Sequence, residues 1–457
     1  MQRHIYKALF TGQRAGLLVV ALMCCATRIN ASEHQLREAY FNANTGRALE
    51  VLTDFSLPSL AAFKWRDSTI NVAYVRTVAG LNFDMQYSSV AKNNESKAGQ
   101  RVRLVLAEKQ IAEGDSSAAL NTLNAGRYAK GFEQAQYQYL LGQAYVLSGK
   151  IEEAQRLYKK WKGSDPIQVY LSLNIGIWLA EQSRLDESAQ WLTKAATMQL
   201  PAGEEWSSLK DRANVYLGGV YNFLGKPALA RKTLEKVRLS GMDANRALLS
   251  LGWTDVARTQ NKEALAPWTY LSEQSHSDPS VQEAYLLVPF ALGKLGAHGK
   301  ASNTYAAAIE IYEQELELLN KVERQAQDGS LLKHIAKTHQ KSKTQWQASL
   351  RQAVGPQLSV YLAEALKHEE LYGLMNNYMQ IEDMRKFAAK SLQRNNLPQS
   401  ITSKMQSIQQ AYAELINPHL QREITAQIQR LKEYQSHANF SLAESYERVA
   451  NGSAWEQ

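Results

Sequence analysis

The sequence predicts an all-α fold: a solenoid of helical hairpins followed by a C-terminal helical bundle or short coiled coil. Three observations predict it. Breakers are scarce, with 10 prolines and 25 glycines in 457 residues, below the usual shares of roughly 5% and 7%. Small and large apolar residues recur in a fixed order through the middle of the chain. Beyond them, apolar residues fall on helical seams. With 45% hydrophobic and 21% charged residues, the chain can bury one or two cores.

The first 31 residues read as an export signal. Arg3, Lys7 and Arg14 precede the apolar run Ala15–Ala26, and cleavage after Ala26 or Ala31 suits the small-residue rule. Twelve residues span about 18 Å as a helix, too little for a hydrocarbon core of roughly 30 Å. An uncleaved anchor is the competing reading. Both cysteines, Cys24 and Cys25, fall inside this segment. A processed chain would therefore carry none, which fits a bacterial periplasm, free or membrane-associated, better than a eukaryotic exterior. The signal also holds four of the 52 basic residues and no acidic one. What remains is 48 basic against 44 acidic residues, too mild a balance to argue for nucleic acid.

Residues 32–100 read as a degenerate helical cap, on the weak pattern Ala39-Tyr40, Gly46 and Leu49. The repeat occupies 101–310. Leu141-Gly142, Tyr145, Gly149, Ala154 and Tyr158 return 34 residues later as Ile175-Gly176, Leu179, Ser183, Ser188 and Leu192. After an eight-residue insertion come Leu217-Gly218, Tyr221, Gly225, Ala230 and Leu234, then, 34 on, Leu251-Gly252, Asp255, Thr259, Ala264 and Trp268. Looser copies flank these around Leu106-Ala107 and Leu292.

The spacing has a physical reading. Small residues at Gly142 and Ala154 let two antiparallel helices approach, and Gly149 ends the first helix where φ must be positive. No unit buries its apolar face alone, so the units must stack. The pattern resembles tetratricopeptide repeats. It departs from them at the early tryptophan-type position, held by Gln138, Ser172, Asn214 and Leu248, and at Pro289, which should kink its helix.

The resemblance implies a groove lined by the first helix of each unit. Its positions fall here on Tyr139, Gln143, Leu173, Ile177, Arg212, Asn222 and Trp253. This aromatic and aliphatic lining, with one arginine, suits a partner helix or apolar extended segment. Cover by the chain's own N-terminal region is the competing reading.

Residues 311–457 carry long-helix seams. Tyr305, Ile309, Tyr312, Leu316 and Leu319 continue the last repeat helix as a heptad-spaced rod, interrupted at Asp328-Gly329-Ser330. Shorter seams follow at Leu374, Tyr378, Ile381 and Met384, and at Ile408, Tyr412 and Leu415. Pro418 opens a further helix with Ile424, Ile428 and Leu431. A packed bundle is the leading reading and an exposed coiled coil the alternative.

Nothing in the linear pattern points to catalysis, a cofactor or a metal. His334 and His339 stand five apart, off a shared helix face, and read as solvated. No phosphate loop or serine-hydrolase elbow occurs. Glu152-Glu153 and Glu369-Glu370 read as solvated helix faces. Lys333, Lys337 and Lys341 form a basic stripe, either an ordinary solvated face or a contact with anionic membrane or glycan.

The expected function is thus a non-catalytic periplasmic scaffold that binds another envelope protein through the groove. Secretion, pilus, polysaccharide or other envelope assembly are all suitable settings. Two alternatives stand beside it: an accessory with ligand-binding or enzymatic activity in the C-terminal region, and a self-associating rod.

Overall fold

The computed structural model describes residues 103–453, apart from 105, 109, 112–113, 126–131, 163–164, 342–345 and 393–398. The expected export signal and cap over 1–100 lie outside the described residues. Among the described residues every regular element is an α-helix. Two compact units emerge, each assembled from several stretches of chain.

The first unit takes the described residues up to Ile175, with Ala336–Trp346 and Leu366–Asn417. It holds α1 (Ser116–Asn124) and the hairpin of α2 (Phe132–Leu147) and α3 (Ile151–Lys160), with the start of α4 (Gln168–Glu181). Gly149 ends α2 at φ +72° as its spacing predicts, and Ala154 is wholly buried. A Cβ on Gly142 would lie 2.5 Å from Leu171 Cδ2, so the absent side chain sets how closely the next repeat packs. The same unit includes α15 (Glu369–Leu392) and the first part of α16 (Gln399–Ser453). There Gln409 donates to buried Glu382 at 2.6 Å, and Arg385 pairs with that carboxylate.

The second unit takes Gly176–Ile335, Gln347–Ala365 and Pro418–Gln457. Its hairpins are the end of α4 with α5 (Leu185–Thr197), α6 (Glu204–Phe223) with α7 (Pro227–Leu234), α8 (Ala244–Ala257) with α9 (Asn261–Ser272), and α10 (Pro279–Lys294) with α11 (His298–Gln327). The glycine after Leu217 meets Leu234, and Gly252 meets Trp268. Facing these, Ala230, Ala264 and Ala301 are wholly buried. Ser188 takes the alanine place in its repeat, and its hydroxyl donates to the Gly176 carbonyl at 2.6 Å. That bond satisfies a hydroxyl which would otherwise be costly to bury.

The eight-residue insertion forms helix rather than loop. It extends the front of α6 to Glu204, where Arg238 binds Glu204 at 2.8 Å and Asp211 at 2.7 Å. One guanidinium thus ties the added turns to the connection between α7 and α8. Pro289 lies inside α10, which runs on to Lys294. One expectation about proline needs correction: Pro418 lies inside α16 rather than opening a helix. An interior proline costs a backbone bond, roughly 3 kcal/mol. Burial of Ile416 and Leu420 on either side offsets that cost.

The heptad-spaced rod finds its partner within the second unit. Helix α11 and the C-terminal part of α16 run antiparallel. Glu313 meets Gln435 at 3.2 Å and Glu323 meets Thr425 at 2.5 Å, while the Tyr312 and Tyr434 rings lie 6.1 Å apart. Tyr312, Leu319, Ile424 and Leu431 are buried along the seam. The seam packs inside the unit, as the bundle reading expects.

Candidate functional site

The seven expected lining residues fall on the first helices of the hairpins. In α2, Tyr139 and Gln143 are 5% and 3% exposed, and the Tyr139 ring packs 5.8 Å from Tyr170. In α4, Leu173 and Ile177 are buried. Arg212 and Asn222 in α6 keep partial exposure. Arg212 pairs with buried Asp243 at 3.2 Å, and Asn222 donates to Thr254 at 2.8 Å. Of the seven expected lining residues, then, five are buried.

Trp253 corrects the expectation most sharply. It is not an exposed aromatic but 7% exposed. Its ring meets Trp268 edge-on at 5.4 Å and Phe290 at 6.4 Å, and its indole N–H donates to Glu283 Oε1 at 3.0 Å. The next hairpin covers it. Helical spacing shows which face a residue lies on, not what later packs over that face.

Cover at this end of the solenoid includes a helix from the C-terminal side of the chain; the N-terminal region that the sequence suggested as a cover lies outside the described residues. Helix α14 (Pro356–Ala365) brings Tyr361, whose hydroxyl accepts from Gln282 at 2.8 Å and donates to Glu315. Ser277 donates to the same Glu315 oxygen at 3.2 Å. Tyr312 donates to the Gln282 carbonyl at 2.6 Å, and Gln427 of α16 donates to the Tyr361 carbonyl at 3.0 Å. The result is a polar cluster at the start of α10, joined by long-range side-chain bonds that no local pattern announces.

The electrostatics of this cluster follow from its burial. Desolvation is the main cause that raises the Tyr312, Tyr361 and Tyr434 hydroxyls well above the usual tyrosine range, and it pushes Tyr285 up to about 12. These four stay neutral hydrogen-bonding groups at any ordinary pH. Glu283 behaves differently. Burial pushes its carboxyl up to about 7, against the opposing pull of the Trp253 N–H and of Arg430. It is only partly exposed by surface area, so desolvation is a consistent cause.

On α12 (Ser330–Lys341), Lys333 and Lys337 are exposed, while the Lys341 side chain lies outside the described residues. His339 corrects an expectation: it is 2% exposed, because it continues the stripe Leu332, Ile335 and Ala336 at helical spacing. His334 is exposed, with Nε2 2.9 Å from the Ala353 carbonyl. Glu153 on α3 forms an exposed pair with Arg156 at 3.0 Å. Among the described residues no group of three His, Cys, Asp or Glu could hold a metal ion, and no helix is long and apolar enough to cross a membrane.

A tetratricopeptide repeat model matches residues 135–167, the α2–α3 hairpin and its exit. No curated protein matches the sequence. Among solved structures, "MamA MSR-1 C2" is 18% identical, with 40% of this chain and 98% of that chain covered and a TM-score of 0.31. The apo form of RapI is 13% identical over 69% of this chain and 98% of its own, with a TM-score of 0.35. A Rap protein complexed with competence and sporulation factor is 11% identical over 77% and 97%, with a TM-score of 0.31.

Proposed function

Starting from a chain that carries tetratricopeptide repeats, we propose that it is an exported, non-catalytic scaffold that binds another protein of the bacterial envelope. Repeats of this kind support a protein–protein interaction scaffold. Stacked hairpins join a rigid spine to a long, continuous surface. The observation that carries the reading is the shared geometry of successive hairpins, from Gly142 beside Leu171 to Gly252 beside Trp268. The export signal supports the compartment, and the cysteine-free remainder agrees with it.

Contact with the partner is assigned to the solenoid. Arg212 and Asn222 are the lining residues that keep surface; the buried ones would meet a partner only if neighbouring helices moved. The Lys333–Lys337 face offers a peripheral contact with anionic headgroups or glycan. Affinity purification from the native envelope, with mass spectrometry and N-terminal sequencing, tests the reading. A single co-purified envelope protein and a start after Ala26 or Ala31 support it. An intact Met1 with no co-purified protein contradicts it.

The alternative, an accessory with ligand-binding or enzymatic activity in the C-terminal region, draws on one observation. Glu283, Glu315, Tyr361 and Arg430 converge there. Tyr361 and Glu315 are bonded to each other and to Gln282 and Ser277, and Glu283 is bonded to Trp253, which favours a structural role.

A further inference from the structure

We propose that residues 424–438 of α16 form a movable cover over the inner face of the last two hairpins, seated over the Glu283 carboxyl. The helix is amphipathic in this stretch. Ile424, Ile428, Leu431 and Ala438 are buried, while Arg422, Lys432 and His437 are not. Its apolar stripe lies on the solenoid, and it meets α11 through the exposed pairs Thr425–Glu323 and Gln435–Glu313 and through the Tyr434–Tyr312 ring contact.

The cover is imperfectly bonded where it crosses Glu283. Arg430 acts on that carboxyl across space, yet its Nε and Nη2 are buried without a hydrogen-bond partner, as is Gln427 Oε1. Unpaired buried polar atoms weaken a contact, so this one opens more readily than the apolar packing around Trp268. Neutral Glu283 can sit under the helix and still accept from Trp253. Ionised, it must remain desolvated opposite an arginine that is not bonded to it, or lift the cover and reach water.

The groups facing Glu283 are Trp253 on α8, Tyr312 on α11, and Arg430 and Tyr434 on α16. Tyr285 on α10 itself and Glu433 on α16 act in turn on Tyr312 and Tyr434, and Glu315 on α11 acts on Tyr285 and Tyr361. Burial keeps the tyrosines neutral. His276 borders this group, its ring edge-on to Tyr285 at 5.7 Å. Access of a partner to this face rests on the scaffold reading above, but the opening itself does not.

Hydrogen exchange of the full chain, followed by mass spectrometry from pH 5 to pH 8 and corrected for intrinsic rates, tests the proposal without any partner. Opening of 424–438 should rise by about tenfold or more across that range, while α9 around Trp268 keeps its protection. Glu283→Gln should make the opening independent of pH, and His276→Asn should leave the rise in place. A flat wild-type profile overturns the proposal whatever the variants do. So does a rise that survives Glu283→Gln, or an opening that falls with pH because the anion pairs with Arg430.

Discussion

A Cβ added to Gly252 would lie 2.1 Å from Trp268 Nε1, so the backbone of α8 rests directly on the indole of α9. That ring is wholly buried, and its N–H donates to the Leu249 carbonyl at 3.1 Å. Neither partner can retreat without giving up the hydrogen bond or the packing.

Gly252→Ala should therefore destabilise the second unit by about 2–3 kcal/mol, the usual cost of overpacking a tight core. The gain in helix propensity from alanine, roughly 1 kcal/mol, would not offset it. Chemical denaturation followed by circular dichroism measures the difference. An unchanged midpoint would show that the helices are not held at this distance.

Thr259 and Ser183 occupy the place where Gly149, Gly225 and Gly296 end the other first helices, and both take φ +61°. A side chain in that region costs roughly 1–2 kcal/mol, and a β-branched one stands out there. Thr259→Gly should stabilise the protein by about 1 kcal/mol once glycine's greater unfolded freedom is set against the relief. Ser183→Gly should act in the same direction and less strongly. Thermal melts of the two variants check the order.

Trp268→Ala should cost about 3–5 kcal/mol, as removal of a buried aromatic does. Trp253→Ala should fall near the low end of the same range, because that ring is enclosed by Trp268, Phe290 and Glu283. A Trp253→Ala protein with unaltered stability would mean that its ring is open to solvent.

Glu283 gives a stability that depends on pH with a definite sign. Its folded value of about 7 lies above the ordinary 4.5. The folded state's advantage is then complete below about pH 4.5 and is lost as pH rises through 7. Glu283→Gln removes the loss, so at pH 8 it should be about 3 kcal/mol more stable than the parent. At pH 5 the two should agree within about 1 kcal/mol. Urea titrations at both pH values provide the comparison.

The residues that carried the fold in the sequence were those whose role is local. Gly142, Gly218 and Gly252 gave the helix crossings through spacing alone, Gly149 gave a helix end, and Trp268 gave a core position. The Tyr305–Leu319 seam announced a long helix and its apolar face, but a heptad does not say which segment packs against it; that is α16. Burial of Trp253 was hidden for the same reason, since Glu283 and Phe290 come from the next hairpin. The repeat pattern also concealed Asp255. It stands where Tyr145 and Tyr221 stand in other units, and is 1% exposed by side chain because Arg231 and Arg258 pair with it. Pro418 misled because proline marks a helix start in the chain alone, whereas packing on both sides of it carries α16 through. The site was less legible than the fold, as its bonds join residues 30 to 79 positions apart.

Photo-crosslinking in the native envelope tests the central claim most directly, with a reactive residue placed at Arg212 or Asn222 on the inner face. The account predicts that both positions join to one and the same envelope protein. Positions on the second helices, Leu229 and Tyr270, exposed to 47% and 48%, should give none of that product. Crosslinks to the partner from Leu229 and Tyr270 alone, with Arg212 and Asn222 silent, would contradict docking on the inner face of the solenoid.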